Sequence, residues 1–191
     1  MSFITKNLKK VGIVNTVLIA VCLILDGYVI GLNPSLLSYP SYVATNCFKI
    51  AAIISGLIYA ISGYKKNSAK YYKGFMVLLF IARIIDAFND LYITLSYATV
   101  YNNSYFTTVF KFIIVACIAI LAFAKDFGKK KSLIVVYVSL ICDAIIFVRI
   151  LTTYSSIFAD IVLIFTYLIL GCITTVFVEA KYIDKESRGA E

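Results

Sequence analysis

The first long apolar run of this chain is VGIVNTVLIAVCLILDGYVIG, residues 11–31. It holds Asp26 as its single charged residue and follows directly on Lys9 and Lys10. A helix rises about 1.5 Å per residue, so about 20 apolar residues cross a hydrocarbon layer of about 30 Å. The run is long enough for this and therefore predicts a membrane-spanning helix.

Five further apolar runs follow, and the composition agrees with them. Of the 191 residues 62% are apolar and 15% are charged, with a mean hydropathy of +0.94. A soluble domain has close to half apolar and a quarter charged residues, so this class is excluded. We predict an all-α polytopic membrane protein: a six-transmembrane-helix bundle over residues 1–186 and a short polar C-terminal tail over 187–191. The predicted spans are 11–31, 42–63, 74–98, 106–124, 132–152 and 157–180.

The charges of the connecting segments predict the orientation. The connections at 32–41, 99–105 and 153–156 contain no charged residue, whereas the N-terminus, the other two connections and the C-terminal segment are rich in lysine. Basic residues mark the cytoplasmic side of membrane proteins. Both termini are therefore expected in the cytoplasm, and the expected location is a cell membrane, specifically a bacterial plasma membrane. The net charge of +8 then reflects topology and does not indicate a nucleic-acid surface.

Nine ionisable residues lie inside the predicted spans. An unpaired charge at bilayer depth is costly, so such groups face the bundle interior and find partners or water. Intramembrane charges are functional candidates by default, and we favour that interpretation here. The candidate ligand or ion pathway consists of Asp26, Lys49, Arg83, Asp86, Asp90, Lys111, Asp143, Arg149 and Asp160.

Counting residues from the basic connections predicts the partners of these charges. Asp26 and Lys49 fall at the same height, so they are expected to pair between helices. Lys111 is expected to meet Asp86 or Asp90. Asp143 and Arg149 are six residues apart and point in different directions, so each is expected to pair with another helix. Two interpretations remain: ion pairs that set the register of helical hairpins, or a water-accessible pathway for a polar solute or ion.

The chain also divides into three helical hairpins of similar length, at 1–64, 65–125 and 126–186. Each outgoing helix carries an aspartate after an apolar run, and each returning helix carries a charged residue at a matching place. These residues are Asp26, Asp86 and Asp143 on the outgoing helices and Lys49, Lys111 and Asp160 on the returning ones. Internal repeats are common in transporter folds, so a threefold hairpin repeat is one expectation.

Two classes of function fit these features. The first is binding or transport of a small polar or zwitterionic solute or an ion through the layer of charges. In size, helix number and internal ends, the predicted architecture is similar to the substrate-binding membrane subunits of energy-coupling-factor vitamin transporters. The Ala-xxx-Ala stripe that such subunits commonly carry on the first helix is missing here.

The alternative is an oligomeric membrane partner: a channel, or an effector or anchor subunit, for example of a bacterial defence or immunity system. Its contact surfaces would be the basic cytoplasmic face and the small-residue stripe Ala52, Gly56 and Ala60. The expected partners are thus the lipid bilayer, a small polar solute or ion, and a homo-oligomer or cytoplasmic partner protein, without nucleic acid.

Catalysis is not expected. The chain has no histidine, which excludes Ser-His-Asp and Cys-His catalysis and the usual zinc centres. It has no phosphate-binding loop, dinucleotide fingerprint or Gly-x-Ser-x-Gly motif. Its five cysteines all fall inside spans and lack Cys-x-x-Cys spacing, so they are expected to be reduced. We therefore predict neither an enzyme nor a metal or cofactor site.

Overall fold

A computed structural model describes residues 8–64, 68–96, 104–124, 127–153 and 158–186, without the side chains of 8, 9, 104, 153, 158–160 and 183–186. These residues form six α-helices and no β-strand, which confirms the all-α class. The helices are α1 (Leu8–Leu32), α2 (Pro40–Ile61), α3 (Ala69–Ser96), α4 (Ser104–Phe123), α5 (Lys129–Thr153) and α6 (Phe158–Glu186). A short 3-10 helix, Pro34–Ser38, joins α1 to α2.

Five of these helices are long and apolar enough to cross a membrane by length and composition. The exception within the described residues is α3, which carries Lys70, Lys73, Arg83, Asp86 and Asp90. The five apolar segments are Lys10–Leu32, Pro40–Ile61, Tyr105–Phe123, Lys129–Thr152 and Ile161–Tyr182. The chain therefore has the character of an integral multi-pass membrane protein.

The helices pack in chain order and close into a ring. Each helix contacts the next one along the chain, and α6 also packs against α1. The starts of α3 and α5, with Lys70, Lys73, Lys129, Lys130 and Lys131, lie at one end of this bundle, which we call the basic end. The opposite end, which includes the uncharged connection between α1 and α2, is called the uncharged end.

The distribution of polarity is inverted relative to a soluble protein. The outward surface is apolar on every helix, whereas several charged side chains lie in the interior. Lys49 is 0% exposed and Asp143 is 2% exposed, whereas Ile24 is 70% exposed. Soluble monomers rarely expose large continuous apolar patches, and lipid satisfies such a surface without penalty. The inversion agrees with the membrane character of the helices.

The helix ends differ from the predicted span ends by a few residues where the chain is polar. Helix α3 begins at Ala69 instead of 74, and α6 continues to Glu186 instead of ending at 180. The prediction followed apolar content, but lysine, alanine and glutamate are good helix formers outside the hydrocarbon layer as well. The helices therefore extend beyond their apolar segments at the basic end.

An aromatic cluster fills the interior at the basic end. It consists of Tyr59, Tyr64, Tyr72, Phe75 and Phe177. Tyr59 and Phe75 each place their ring centroid 5.1 Å from that of Phe177, in edge-to-face contacts. Tyr64 follows α2 with a left-handed backbone (φ 61°) and accepts a hydrogen bond from the side-chain amide of Asn15 at 3.1 Å. These contacts fix the turn after α2 against α1.

The small-residue stripe of α2 faces this interior. Ala52, Gly56 and Ala60 are all buried. A Cβ atom at Gly56 would lie 2.9 Å from the ring of Phe75 and 3.2 Å from the ring of Phe177. The stripe thus allows close packing within one chain and does not form an exposed contact surface.

Candidate functional site: a buried network of charged residues

Asp26 on α1 and Lys49 on α2 form an ion pair in the bundle interior. The Lys49 Nζ atom lies 2.7 Å from Asp26 Oδ1, and the two side chains are 3% exposed or less. The pairing expected from the sequence is confirmed. Thr166 on α6 also lies beside Oδ1 at 3.4 Å, whereas Oδ2 has no hydrogen-bond partner among the described residues.

Arg83 on α3 and Asp143 on α5 form a second buried pair. The Arg83 Nη2 atom lies 2.7 Å from Asp143 Oδ1 and 2.6 Å from Oδ2. Asp143 thus pairs with another helix, as its spacing from Arg149 predicts. This pair joins the second and third hairpins, and nothing in the spacing of the charges indicates that Arg83 is the partner.

Tyr167 on α6 connects the two buried pairs. Its ring centroid lies 3.5 Å from the guanidinium carbon of Arg83 and 5.1 Å from the Nζ atom of Lys49. A cation over an aromatic face is attracted by the ring quadrupole, and the attraction grows when water is excluded. The Tyr167 hydroxyl and the Nε atom of Arg83 have no hydrogen-bond partner among the described residues.

Sequence reasoning missed Tyr167. The chain has 15 tyrosines, and many of them lie near predicted membrane surfaces, where tyrosine is ordinary. Tyr167 differs because it lies ten residues inside the predicted span 157–180. The distance of Tyr167 from both predicted membrane surfaces was the sequence signal that could have identified this residue.

Asp86 and Asp90 on α3 share the ammonium group of Lys111 on α4. The Nζ atom lies 3.2 Å from Asp86 Oδ1 and 3.2 Å from Asp90 Oδ1. Thr108, one helical turn before Lys111, donates a hydrogen bond to Asp90 Oδ2 at 2.6 Å. We call Asp86, Asp90 and Lys111 the acidic triad. The expected pairing of Lys111 is confirmed, with both aspartates instead of one.

The acidic triad is more accessible than the two buried pairs. Its side chains are 15–23% exposed, compared with 0–7% in the other two ion pairs. Asp90 lies less than two helical turns before the end of α3 at Ser96, which is the uncharged end of that helix. The triad therefore lies in the half of the bundle that is nearer the uncharged end.

Arg149, one of the two remaining candidate residues, lies apart from this network. The guanidinium carbon of Arg149 on α5 is 6.0 Å from the ring centroid of Phe106. Arg149 forms no salt bridge with a carboxylate among the described side chains. The side chain of Asp160 lies outside the described part of the chain, although its backbone belongs to α6.

The ion pairs also bear on the expected hairpin repeat. Asp26–Lys49 and Asp86–Lys111 each join the two helices of one hairpin at matching positions. The third hairpin has an aspartate where the others have lysine, and its Asp143 binds Arg83 of the second hairpin. The repeat itself stays a prediction.

The enclosed space beside these charges is small. A cavity of about 10 Å³ lies next to Arg83, Asp143 and Tyr167, with Ser139 and Thr174 also in its wall. About 10–15 Å³ is room for one water molecule. Among the described residues, no group of three or more cysteine, aspartate and glutamate side chains is placed to hold a metal ion. The network can thus hold protons or a water molecule, and it offers no enclosed space for a metabolite at this cavity.

No protein-family model, curated protein or solved structure matches this chain. The established description is therefore a helical protein with five helices apolar enough to span a membrane and a network of ion pairs in its interior.

Proposed function

We propose that this protein spans the membrane six times with its basic end in the cytoplasm. We further propose that it binds and releases a proton at Asp86 and Asp90 as one step in moving protons across the membrane. In a plasma membrane of this orientation, the acidic triad faces the outer side. Three separate features support the sixth span, the binding of a proton, and the side of the membrane from which the proton arrives.

The charges of α3 do not prevent it from crossing. Lys70 and Lys73 lie in its first turns, at the basic end, where water and lipid headgroups can reach them. Its other three charges, Arg83, Asp86 and Asp90, all have oppositely charged partners on other helices of the bundle. Paired charges that face the bundle interior are the usual form of charge inside a membrane.

The observation that carries the proton proposal is the sharing of Lys111 by two carboxylates. The pairs Asp26–Lys49 and Arg83–Asp143 are each neutral when ionised, but the acidic triad then carries a net charge of −1. Two carboxylates that share a site resist simultaneous ionisation, and a net charge inside a membrane is costly. One proton on Asp86 or Asp90 makes the triad neutral.

The aromatic cluster supports access from the uncharged end. Phe177 lies ten residues beyond Tyr167 along α6, nearly three helical turns closer to the basic end. The rings of the cluster are buried and in mutual contact, which leaves little room for water between the charges and the cytoplasm. The partly exposed triad therefore opens toward the outer side in the proposed orientation.

A metabolite substrate is less well supported than a proton. The cavity beside Arg83 and Asp143 holds about one water molecule, and the two buried pairs bind each other directly. The similarity of architecture to vitamin-binding subunits adds no residue match at this network. The proposal is therefore restricted to proton movement.

Cysteine labelling in intact cells tests the topology. Tyr39→Cys lies in the uncharged connection before α2, and Lys130→Cys lies at the start of α5; both native side chains are exposed. A membrane-impermeant maleimide should label Tyr39→Cys and spare Lys130→Cys until the cells are opened. If α3 did not cross, α4 would run in the opposite direction and Lys130→Cys would be labelled from outside. The wild-type protein, with exposed Cys47 and Cys172, gives the background.

Infrared spectroscopy of the purified protein tests whether Asp86 or Asp90 holds a proton. We expect the carbonyl band of a protonated carboxylic acid at neutral pH, and we expect its loss in both Asp86→Asn and Asp90→Asn, because each variant leaves one carboxylate with Lys111. Glu179→Gln, which removes a carboxylate on α6 near the basic end, should keep the band. A wild-type protein without the band, or a band unchanged in both asparagine variants, contradicts the proposal.

Proton flux in proteoliposomes tests the transport step separately. Liposomes that contain the protein and a trapped pH dye should acidify faster than empty liposomes when the outside is made acidic. Asp86→Asn should abolish the difference, and Glu179→Gln should preserve it. An infrared band without any flux would mean that the triad holds a proton but that the transport half of the proposal is wrong.

A further inference from the structure

A second feature lies outside the charge network, on the outer surface of the ring. A groove of about 590 Å³ runs between α1 and α6. This volume is in the range of sites that bind organic ligands, about 300–1,000 Å³. These two helices are the first and the last in the ring, so the groove marks the seam where the bundle closes.

The walls of the groove are apolar along one face of each helix. Val11, Val14 and Leu18 follow i, i+3, i+7 spacing on α1, and Cys172 and Val176 are four residues apart on α6. Val14 is 57% exposed, so its side chain is open to an occupant. Apolar walls of this kind bind hydrocarbon chains and offer few hydrogen-bond partners to a polar molecule.

The charged group of the groove lies at one end. Lys10, which is exposed, lines the groove at the basic end, and the sequence places Lys6 and Lys9 just before it. Asn15 also lines the groove, but its amide donates a hydrogen bond to the Tyr64 hydroxyl. Lys10 forms no salt bridge with a carboxylate among the described side chains. Within the described part of the chain, the groove therefore presents one positive charge without a counter-charge.

The direction of the groove fits a membrane lipid. Lys10 and Leu18 are separated by just over two helical turns along α1, so the groove follows the helix axis. In the proposed orientation Lys10 lies at the cytoplasmic membrane surface, and Leu18 lies within the hydrocarbon layer. An acyl chain can thus follow the valines while its headgroup stays beside Lys10.

We infer that this groove binds one phospholipid with an anionic headgroup from the cytoplasmic leaflet. The acyl chain packs against Val11, Val14, Leu18 and Val176, and the phosphate group binds Lys10. Basic pockets between membrane helices on the cytoplasmic side recognise anionic headgroups in this way. The inference depends on the proposed orientation of the protein but not on the proton step.

Native mass spectrometry of the purified protein tests the inference. The probe is an equal mixture of phosphatidylglycerol and phosphatidylcholine with identical acyl chains. We expect the wild type to retain one phosphatidylglycerol with a preference of about fivefold, because one lysine near the surface contributes about 1 kcal/mol. Lys10→Gln should remove the preference, and Lys130→Gln, which removes an exposed lysine at the same end, should keep it.

A pair of tryptophan variants tests the groove itself. Val14→Trp fills the groove and should abolish retention of both lipids. Val148→Trp on α5 is the control, because Val148 is 58% exposed and Val14 is 57% exposed. Equal loss of headgroup preference in Lys10→Gln and Lys130→Gln, or retention unaffected by Val14→Trp, would overturn the inference.

Failure of this inference is distinguishable from failure of the proposed function. The infrared band of the acidic triad does not depend on the groove, and Val14→Trp should leave it in place. Labelling of Lys130→Cys from outside would contradict the proposed orientation. It would also contradict the position of Lys10 at the cytoplasmic surface, on which the lipid inference depends. A normal labelling pattern with no lipid preference would contradict the lipid inference alone.

Discussion

Arg83 stacks on Tyr167 at the centre of the bundle, with its guanidinium carbon 3.5 Å from the ring centroid. The same guanidinium donates from Nη2 to both carboxylate oxygens of Asp143. Three helices from two hairpins, α3, α5 and α6, therefore meet at one planar group. A guanidinium group can lie flat on a ring while it donates in its own plane, whereas a lysine ammonium has no flat face to stack.

Arg83→Lys should destabilise the protein although it keeps the charge. The variant loses the stacking on Tyr167, and we expect the free energy of unfolding to fall by about 2 kcal/mol. Unfolding in mixed micelles with increasing dodecyl sulfate measures the change. Arg149→Lys is the control and should leave stability nearly unchanged, because Arg149 forms no salt bridge with a carboxylate among the described side chains and its guanidinium carbon lies 6.0 Å from the Phe106 ring centroid. Equal losses in the two variants would contradict the role of the stack.

Tyr167→Phe should preserve or raise stability. The hydroxyl of Tyr167 is buried without a hydrogen-bond partner among the described residues, so its removal relieves an unsatisfied group while the ring stays. Tyr64→Phe is the matched variant, and it should lower the unfolding free energy by about 1 kcal/mol because it leaves the Asn15 amide unpaired. The reverse order of stability in the same unfolding assay would show that Tyr167 has a partner in solution.

The Asp26–Lys49 pair should show strong coupling in a double-mutant cycle. Either Asp26→Asn or Lys49→Met leaves a buried group without its partner, and each should cost about 3–5 kcal/mol. The double variant should lose clearly less than the sum. At the acidic triad, Asp86→Asn should cost much less, because Lys111 retains Asp90. Additive losses at Asp26 and Lys49 would mean that the pair does not form in the membrane.

Gly56→Ala should disturb packing within one chain. Its Cβ would lie 2.9 Å from the ring of Phe75, closer than real Cβ contacts. The overpacking should cost about 1–3 kcal/mol. Gly27→Ala on α1, where the new Cβ would meet open space, should leave stability nearly unchanged. Light scattering of the detergent complexes should show no change in the number of chains. A change in oligomeric state without loss of stability would reassign the stripe to a contact between chains.

The sequence predicted the fold class and two of the three sets of ion pairs for a physical reason. Asp26 meets Lys49, and Lys111 meets the α3 aspartates, within helical hairpins whose short connections fix relative height. Counting residues from the basic connections was therefore enough to predict the partners. The span prediction also located all six helices, with errors of six residues or fewer at the helix ends.

The contacts between hairpins could not be predicted in the same way. Arg83 reaches Asp143, and Tyr167 reaches Arg83, only because of the order of helices around the ring and the rotation of each helix about its axis. A mainly apolar sequence says little about the rotation of each helix about its axis. Most of its side chains are equally stable facing the lipid or the bundle interior. Nor does the sequence indicate that Ala52, Gly56 and Ala60 face inward.

The Arg83–Asp143 pair has a consequence for the synthesis of the protein at the ribosome. Asp26 and Lys49 emerge in one hairpin and can neutralise each other early, whereas Arg83 precedes its partner Asp143 by 60 residues. While α5 is still being translated, α3 holds an arginine that the hydrocarbon layer disfavours. A nascent chain halted after α4 should therefore keep α3 in the aqueous channel of the insertion machinery. In the proposed six-span topology, release of the fifth helix then supplies the carboxylate that lets the third one enter the lipid.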